Sequence, residues 1–413
     1  MIRGALGALF CLLAASASAR DGSIRPLWLS GEAEIGALPA DRPVGLQPSN
    51  DPRLVLGELV FRSPAILGGE ARRAGLSCES CHPNGGANTS FFVPGLSKAP
   101  GTIDVTHSAW NPANEDEVAN PLRIPPLWNL ARTAPYGHRG KFADLAAFAR
   151  HVIVDEFAGA EPAPALLDAL VAYLSSLPAP SNRNIDAAGR LTGAAPADAG
   201  RGREAFDKGC AGCHRYAADF QDGKVHILRS GSSFATPSLR GIGVLGGFFH
   251  DGNSSDLAAG VAAHAREFGI SHGTEASRWI TAYVAAIGAV DAPTREPVTL
   301  ALDLDRMDRM VRVLAPADEE TAEIARMLQD EIGRVHARFP RQEHAPARGA
   351  LEGWADRFRE VAQVAEAGQP TRALWAALQQ RLSSERAIVE AAAPASLYDP
   401  ATLAAWKTSK RVR

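Results

Sequence analysis

The chain has 413 residues, a formal net charge of -3, 46% apolar residues and 22% charged residues. This length exceeds one ordinary domain, so we expect two or three. The charge balance leaves no basic surface of the kind that binds nucleic acid. After the N-terminus, no apolar run is long enough to cross a membrane, so we expect a protein that is not membrane-spanning.

The N-terminus, residues 1–19, has the pattern of a secretory signal peptide. Arg3 supplies the positive start, residues 4–16 form a short apolar run, and Ala17–Ala19 offer small residues for cleavage. The run is too short for a transmembrane helix. We therefore expect export to the periplasm, with residues 1–19 removed together with Cys11.

The other four cysteines form two Cys-x-x-Cys-His motifs. A disulfide across so short a loop adds little stability and does not need the histidine. Zinc sites built from such pairs lack a fixed histidine after each pair, and a thioredoxin-like pair would need a βαβ context. The motif favours covalent haem c, with both thiols on the haem and the histidine on its iron. We predict two haems, one on Cys78, Cys81 and His82, the other on Cys210, Cys213 and His214.

Residues 124–151 and 235–264 repeat one pattern. Each contains Pro and Leu, then His-x-Gly, then Asp-Leu-Ala-Ala at the start of a helical pattern, and then His. Helical spacing of apolar residues precedes each haem motif and closes each half, and residues 177–200 have the composition of a linker. We predict a mostly α fold with two tandem cytochrome c-like haem domains, at 20–182 and 195–292.

Residues 296–413 contain no haem motif. Apolar residues at helical spacing predict three helices in this tail, near 317–339, 351–368 and 370–382. We expect them to form a C-terminal helical bundle, either packed on the haem domains or presenting a partner surface.

The stretch 234–257 contains Thr-Pro-Ser-Leu-Arg and His-Asp-Gly, and it resembles the bacterial dihaem cytochrome c peroxidase superfamily, which includes MauG-like enzymes. The similarity covers about residues 50–290, including both haem motifs, at 78–82 and 210–214. The resemblance implies that the second haem takes electrons from a small redox protein or another donor. The first haem would then react with H2O2.

The chain departs from the family at two places. The Trp-Asp-Gly-Arg motif of the peroxidatic half is replaced by residues 137–140, Gly-His-Arg-Gly, and nearby Trp128 is either an inter-haem aromatic or a core residue. Calcium between the domains occurs in the family, but the residues around Gly246 and Gly247 do not follow that pattern. Calcium therefore stays possible but unsupported.

The methionine content restricts the second axial ligand of each haem. The four methionines are Met1, Met307, Met310 and Met327, so the haem region has none. In the resemblance, the methionine of the second haem follows the His-Asp-Gly histidine, here His250, at the position where this chain has His264. We predict His214/His264 ligation and a lower reduction potential than His/Met ligation gives.

In the first half the matching residue is His151, which follows His138 at a spacing one position shorter than that from His250 to His264. This offset turns its side chain by about 100° on an ideal helix. His151 either binds the first iron, or stands off it as an acid/base group for peroxide, or is structural. Asp155 and Glu156 lie near the family's acidic distal position, and we take His151 and Glu156 as catalytic candidates. The alternative for both carboxylates is a charged helix end.

Arg139 and Arg240 are candidates for binding haem propionates, because a guanidinium matches a carboxylate. The leading hypothesis is an exported dihaem cytochrome with peroxidase-type oxidoreductase chemistry. The alternatives are a non-catalytic electron-transfer protein with two bis-histidine haems, and a MauG-like oxidase of a partner protein or organic substrate.

Overall fold

A computed structural model describes residues 41–43, 47–315, 320–339 and 344–411. The predicted signal peptide, residues 1–19, lies outside the described residues. Helices dominate the described chain, and its strands are only two or three residues long. The prediction of a mostly α fold is therefore confirmed.

The first half begins with a helix whose start is set by Asp51. Its carboxylate accepts a hydrogen bond from the backbone N–H of Arg53 at 2.8 Å, and Pro52 occupies the first helical position. The helix then leads toward the first haem motif. The helices of this half are α1 Pro52–Arg62, α2 Gly69–Arg73, α3 Cys78–Cys81, α4 Leu145–His151, which runs into a π-helical turn at Val152–Glu156, and α5 Pro164–Ser176.

The second half repeats this order. One helix leads into the second haem motif, and two follow the repeated Asp-Leu-Ala-Ala pattern. Residues 177–196, which join the halves, contain no helix. The helices of this half are α6 Ala197–Gly209, α7 Leu257–Glu267 and α8 Thr274–Ile287.

A glycine in each half allows two helices to cross at close range. A Cβ on Gly57 of α1 would lie 2.0 Å from the carbonyl oxygen of Ala169 on α5. In the second half, a Cβ on Gly202 of α6 would lie 1.9 Å from the carbonyl oxygen of Trp279 on α8. Any larger residue would force the helices apart. The same crossing therefore occurs twice, as expected for a duplicated unit.

The His-x-Gly turn is also repeated. Gly140 and Gly252, which end the two turns, have φ of +58° and +68°, a conformation that favours glycine. An isolated antiparallel bridge closes each turn, joining Tyr136 to Phe142 and Phe248 to Ser254.

The tail is helical and shares a core with the first half. One continuous cluster of buried apolar side chains contains Leu59 of α1, Leu170 of α5, Met310 and Trp354. The second half has a separate cluster around Phe206. The tail has two more helices than predicted, at its start and its end. Its helices are α9 Leu300–Val313, α10 Thr321–His336, α11 Ala345–Glu366, α12 Arg372–Ala391 and α13 Pro400–Arg411.

Three short antiparallel strand pairs connect distant parts of the chain. Within the described ranges, every helix is too short or too polar to cross a bilayer. The strand pairs are β1 Asp41–Pro43 with β6 Arg295–Pro297, β2 Thr102–Ile103 with β3 Leu122–Arg123, and β4 Val225–Ile227 with β5 Ser233–Ala235.

Candidate haem sites

The second haem motif has an iron-ligand candidate that is already oriented. Cys210 caps the end of α6, and His214 follows in the next turn. Nδ1 of His214 donates to the carbonyl oxygen of Phe220 at 2.8 Å, which leaves Nε2 free to bind a metal. Such a bond on the far nitrogen is the usual support of a metal-binding histidine.

The structure brings His264 opposite His214. The two ring centres are 5.9 Å apart. Metal–imidazole bonds are about 2 Å long, so two imidazoles on opposite faces of one metal have ring centres about 6 Å apart. Burial, and next the charge of His214, lower the pKa of His264 to about 4. The ring is therefore neutral near pH 7, as metal binding requires, and this pair fits bis-histidine ligation.

The first haem motif forms the short helix α3, with Ser77 in a capping box at its start. Nδ1 of His82 is buried without a hydrogen-bond partner. Burial lowers the pKa of His82 to about 4, although the backbone of Pro125 and of Gly86 opposes this shift. A buried, neutral imidazole with unused hydrogen-bonding capacity fits an iron ligand.

His151 and His264 occupy different positions in their helices, counted from the helix start. Each helix starts after a capping aspartate, whose carboxylate accepts a backbone N–H at 2.8 Å, at Asp144 and at Asp256. His151 is seven residues after its cap, whereas His264 is eight residues after its own. The two helices therefore begin at equivalent positions, and the difference of one residue between the His138–His151 and His250–His264 spacings remains within the helix. Ligation of the first iron by His151 stays a prediction.

The side chain of His151 is held by two carboxylates. Its Nδ1 lies 2.9 Å from Oδ2 of Asp155, and its Nε2 lies 3.8 Å from Oε1 of Glu156. The ring of Phe142 packs against it at 4.7 Å. The π-helical turn Val152–Glu156 begins directly after His151 and brings both carboxylates to its ring.

Glu156 is the more buried of the two carboxylates, with 17% of its side chain exposed against 49% for Asp155. Burial raises the pKa of Glu156 to about 7, with a smaller upward effect from Asp155 and an opposing one from Lys141. A carboxyl group that titrates near neutral pH suits proton transfer better than a charged helix end does.

The two predicted propionate-binding arginines differ in their surroundings. Arg240 is paired, with Nε 2.8 Å from a carboxylate oxygen of Asp219, whose other oxygen accepts from Arg132 of the first half at 2.5 Å. Arg139 is exposed and lies near enough to His250 for its charge to affect that ring. Propionate binding by Arg139 and Arg240 stays a prediction.

Trp128 lies at the contact between the halves. Its indole is buried, and a Cβ on Gly241 would lie 2.6 Å from Cζ3. Nearby, Gly246 and Gly247 line a cavity of about 10 Å³, the size of one water molecule. The residues around this cavity include Arg123 and no carboxylate, a composition that does not suit calcium.

Among the described residues, no disulfide joins the four cysteines. Cys213, Asp222 and His226 bring their ligand atoms within 4.8 Å of one another, an arrangement that a metal ion can also use. Burial raises the pKa of Cys213, which favours the thiol over the thiolate that a metal needs. A thioether to haem and a metal thiolate exclude each other at this sulfur.

Sequence reasoning missed a buried charged cluster beside the first haem motif. Glu79, between Cys78 and Cys81, accepts from Nη1 of Arg62 at 2.9 Å. Nε of the same guanidinium donates to Glu331 of the tail at 3.0 Å. No local signal marks this cluster, because its members lie as far as 269 residues apart.

No family model and no curated protein matches the chain. Among solved structures, hydrazine synthase of Kuenenia stuttgartiensis, pressurised with xenon, is similar to this chain with 18% sequence identity and a TM-score of 0.42. The match covers 62% of this chain and 92% of the hydrazine synthase chain. A MauG-like protein associated with microbial copper homeostasis is 15% identical with a TM-score of 0.39. That match covers 60% of this chain and 94% of the MauG-like chain. At these identities and TM-scores, neither structure shows the function of this chain.

Proposed function

We propose that this protein is a dihaem c-type cytochrome, exported to the periplasm, that reduces H2O2 at the first haem with electrons received at the second. The observation that carries the proposal is the asymmetry between the two motifs. His214 has a second imidazole opposite it at 5.9 Å, whereas His151 is held by Asp155 and Glu156.

The second half fits an electron-transfer site. His214 and His264 would both bind the iron of a haem at the second motif, and that haem would supply electron exchange alone. The link of Arg132 to Asp219 and the packing of Trp128 on Gly241 hold the two halves together. Electrons would cross this contact to the first half.

The first half fits proton handling. Haem iron with an open position supplies the redox chemistry of O–O cleavage. Reduction of one H2O2 to two waters consumes two electrons and two protons. In this reaction Glu156 would take a proton from the incoming peroxide and return it to the oxygen that departs as water. Nε2 of His151 lies 3.8 Å from that carboxylate, so a proton would pass between them through one bridging water or after the two groups move closer.

The direct test is the purified exported protein, made with haem-attachment machinery present. We expect its denatured mass to exceed that of the processed chain by two haems. The spectra should show one low-spin, bis-histidine haem and one high-spin haem, and the reduced protein should consume H2O2. One iron per chain, or zinc in place of iron, would contradict the proposal.

Replacing Glu156 with glutamine should slow peroxide consumption by roughly 10² or more, within the usual range of acid–base catalysis. Because burial raises the pKa of Glu156 to about 7, the carboxylate that accepts the peroxide proton is populated above that pH. Wild-type turnover should therefore fall as the pH drops through about 7. The E156Q rate should be low and flat across the same range, as measured by peroxide consumption at a series of pH values.

Unfolding does not explain such a loss. Since the pKa of Glu156 is higher in the folded chain than its ordinary value of 4.5, its ionisation costs stability as the pH rises from there toward 7. E156Q removes this cost. Glu161→Gln is the matched control, because Glu161 is an exposed neighbour that pairs with Arg150. A wild-type pH profile in E156Q would rule out Glu156 as the proton carrier.

Two low-spin haems that ignore peroxide would favour the non-catalytic electron-transfer protein. A high-spin first haem that oxidises a partner protein or organic substrate with peroxide would favour the MauG-like alternative.

A further inference from the structure

Arg123 is a partly buried arginine without an acidic partner among the described residues. Its Nη1 is buried and makes no hydrogen bond. Burial is the one effect that acts on its pKa, lowering it to about 10. Arg62 is buried, Arg240 and Arg306 are partly buried, and each pairs with a carboxylate. Because an unpaired buried charge is costly, the missing partner of Arg123 points to a ligand.

The position of Arg123 is fixed where the two halves meet. Its backbone N–H donates to the carbonyl oxygen of His250 at 2.7 Å, and its Nε donates to that of Phe249 at 3.0 Å. Its own carbonyl oxygen accepts from Nε2 of His138 at 2.9 Å. These bonds hold the guanidinium in place without using Nη1.

The segment after Arg123 runs beside the residues that follow the first haem motif, because the backbone N–H of Leu127 donates to the carbonyl oxygen of Gly85 at 2.7 Å. The charges of Arg123 and of His82 both act on the ring of His138, so both lie within electrostatic reach of that ring. The backbone of Pro125, two residues after Arg123, acts on the ring of His82. A haem held at His82 would therefore lie near the guanidinium.

We propose that Arg123 binds a propionate carboxylate of the first haem at the contact between the two halves, with Nη1 as a donor. This assignment rests on the proposed function. Arg240 already pairs with Asp219 and Arg139 is exposed, whereas Nη1 of Arg123 is buried and has no hydrogen-bond partner. Arg123 also donates hydrogen bonds to two carbonyl groups of the second half. A propionate bound to it would therefore link the first haem to the contact between the halves, which electrons cross in the proposed function.

The test compares the wild-type holoprotein with Arg123→Gln and Arg123→Lys. Haem content is first measured by mass, then the reduction potential of each haem by spectroelectrochemistry and the propionate bending vibration by resonance Raman. Loss of a positive charge beside the haem stabilises its oxidised form. In R123Q we therefore expect a more negative potential for the first haem, a shifted propionate vibration and an unchanged second haem. R123K should shift the potential less, and it carries the test if R123Q does not fold.

Three results would overturn the assignment. The first is that both R123Q and R123K keep the wild-type reduction potential and Raman spectrum. The second is that Arg139→Gln shifts the potential of the first haem whereas R123Q does not, which would make Arg139 the partner of the propionate. The third is that added chloride or phosphate shifts the wild-type reduction potential. In that case R123Q would abolish this response and leave the propionate vibration unchanged. Arg123 would then bind a free anion. A wild-type protein without haem would instead refute the proposed function itself.

Discussion

Replacing His264 with methionine is expected to raise the reduction potential of the second haem and to leave that of the first unchanged. Histidine–methionine ligation gives higher potentials than bis-histidine ligation, and axial ligands together span about 0.8 V. His264 lies on α7 with its ring centre 5.9 Å from that of His214, so a longer, flexible thioether can occupy the same position. Spectroelectrochemical titration of the two haems measures the shift.

His151→Met is the matched comparison, because it makes the same change at the corresponding position of the first half. If His151 is held by Asp155 and Glu156, H151M should leave the ligation of the first haem unchanged. An H264M protein with the wild-type potential and spin state at its second haem would show that His264 is not a ligand. A first haem that changes from low to high spin in H151M would make His151 a ligand.

Loss of His264 should also alter peroxide reduction, because in the proposed function the second haem supplies the electrons. A higher potential at the second haem makes electron transfer to the first less favourable. Turnover with a donor should therefore fall in H264M, while the reaction of the fully reduced first haem with one equivalent of peroxide should remain.

Local pattern predicted the duplicated part of the site. The motifs at 78–82 and 210–214 need five consecutive residues, and the spacing from His250 to His264 follows from one helix start. These patterns can be read from the sequence because helix caps and helical periodicity depend on residues that are close together in the chain. For the same reason the offset of His151 was visible in the sequence, although its pairing with Asp155 was not.

Contacts between distant segments could not be predicted. Arg123 gave no sequence signal, because its role depends on carbonyl groups of His250 and Phe249 in the other half. The tail was predicted as helices, but its union with the core of the first half depends on side chains such as Glu331. Helical periodicity specifies which face is apolar and does not specify which helix covers it.

Replacing Arg62 with alanine is expected to lower the free energy of unfolding by about 3–5 kcal/mol, the usual cost of breaking a buried ion pair from one side. Arg62 is 3% exposed, and it binds Glu79 at 2.9 Å and Glu331 at 3.0 Å, with Asp303 at 3.9 Å. Without it, Glu79 would lose its guanidinium partner, and Asp303 and Glu331 would keep only Arg306 and Arg334 respectively as ion-pair partners. Denaturant unfolding followed by circular dichroism measures the loss.

Arg53→Ala is the control on the same helix. Arg53 pairs with Asp168 at 2.5 Å, but both side chains are more than half exposed, and exposed pairs contribute about 0–1 kcal/mol. Equal stability of R62A and R53A would show that the buried cluster does not hold the tail to the first half. Because Glu79 lies between Cys78 and Cys81, the proposed attachment residues of the first haem, R62A should also reduce haem attachment there. Attachment at Cys210 and Cys213, which lie in the half with its own core, should be complete.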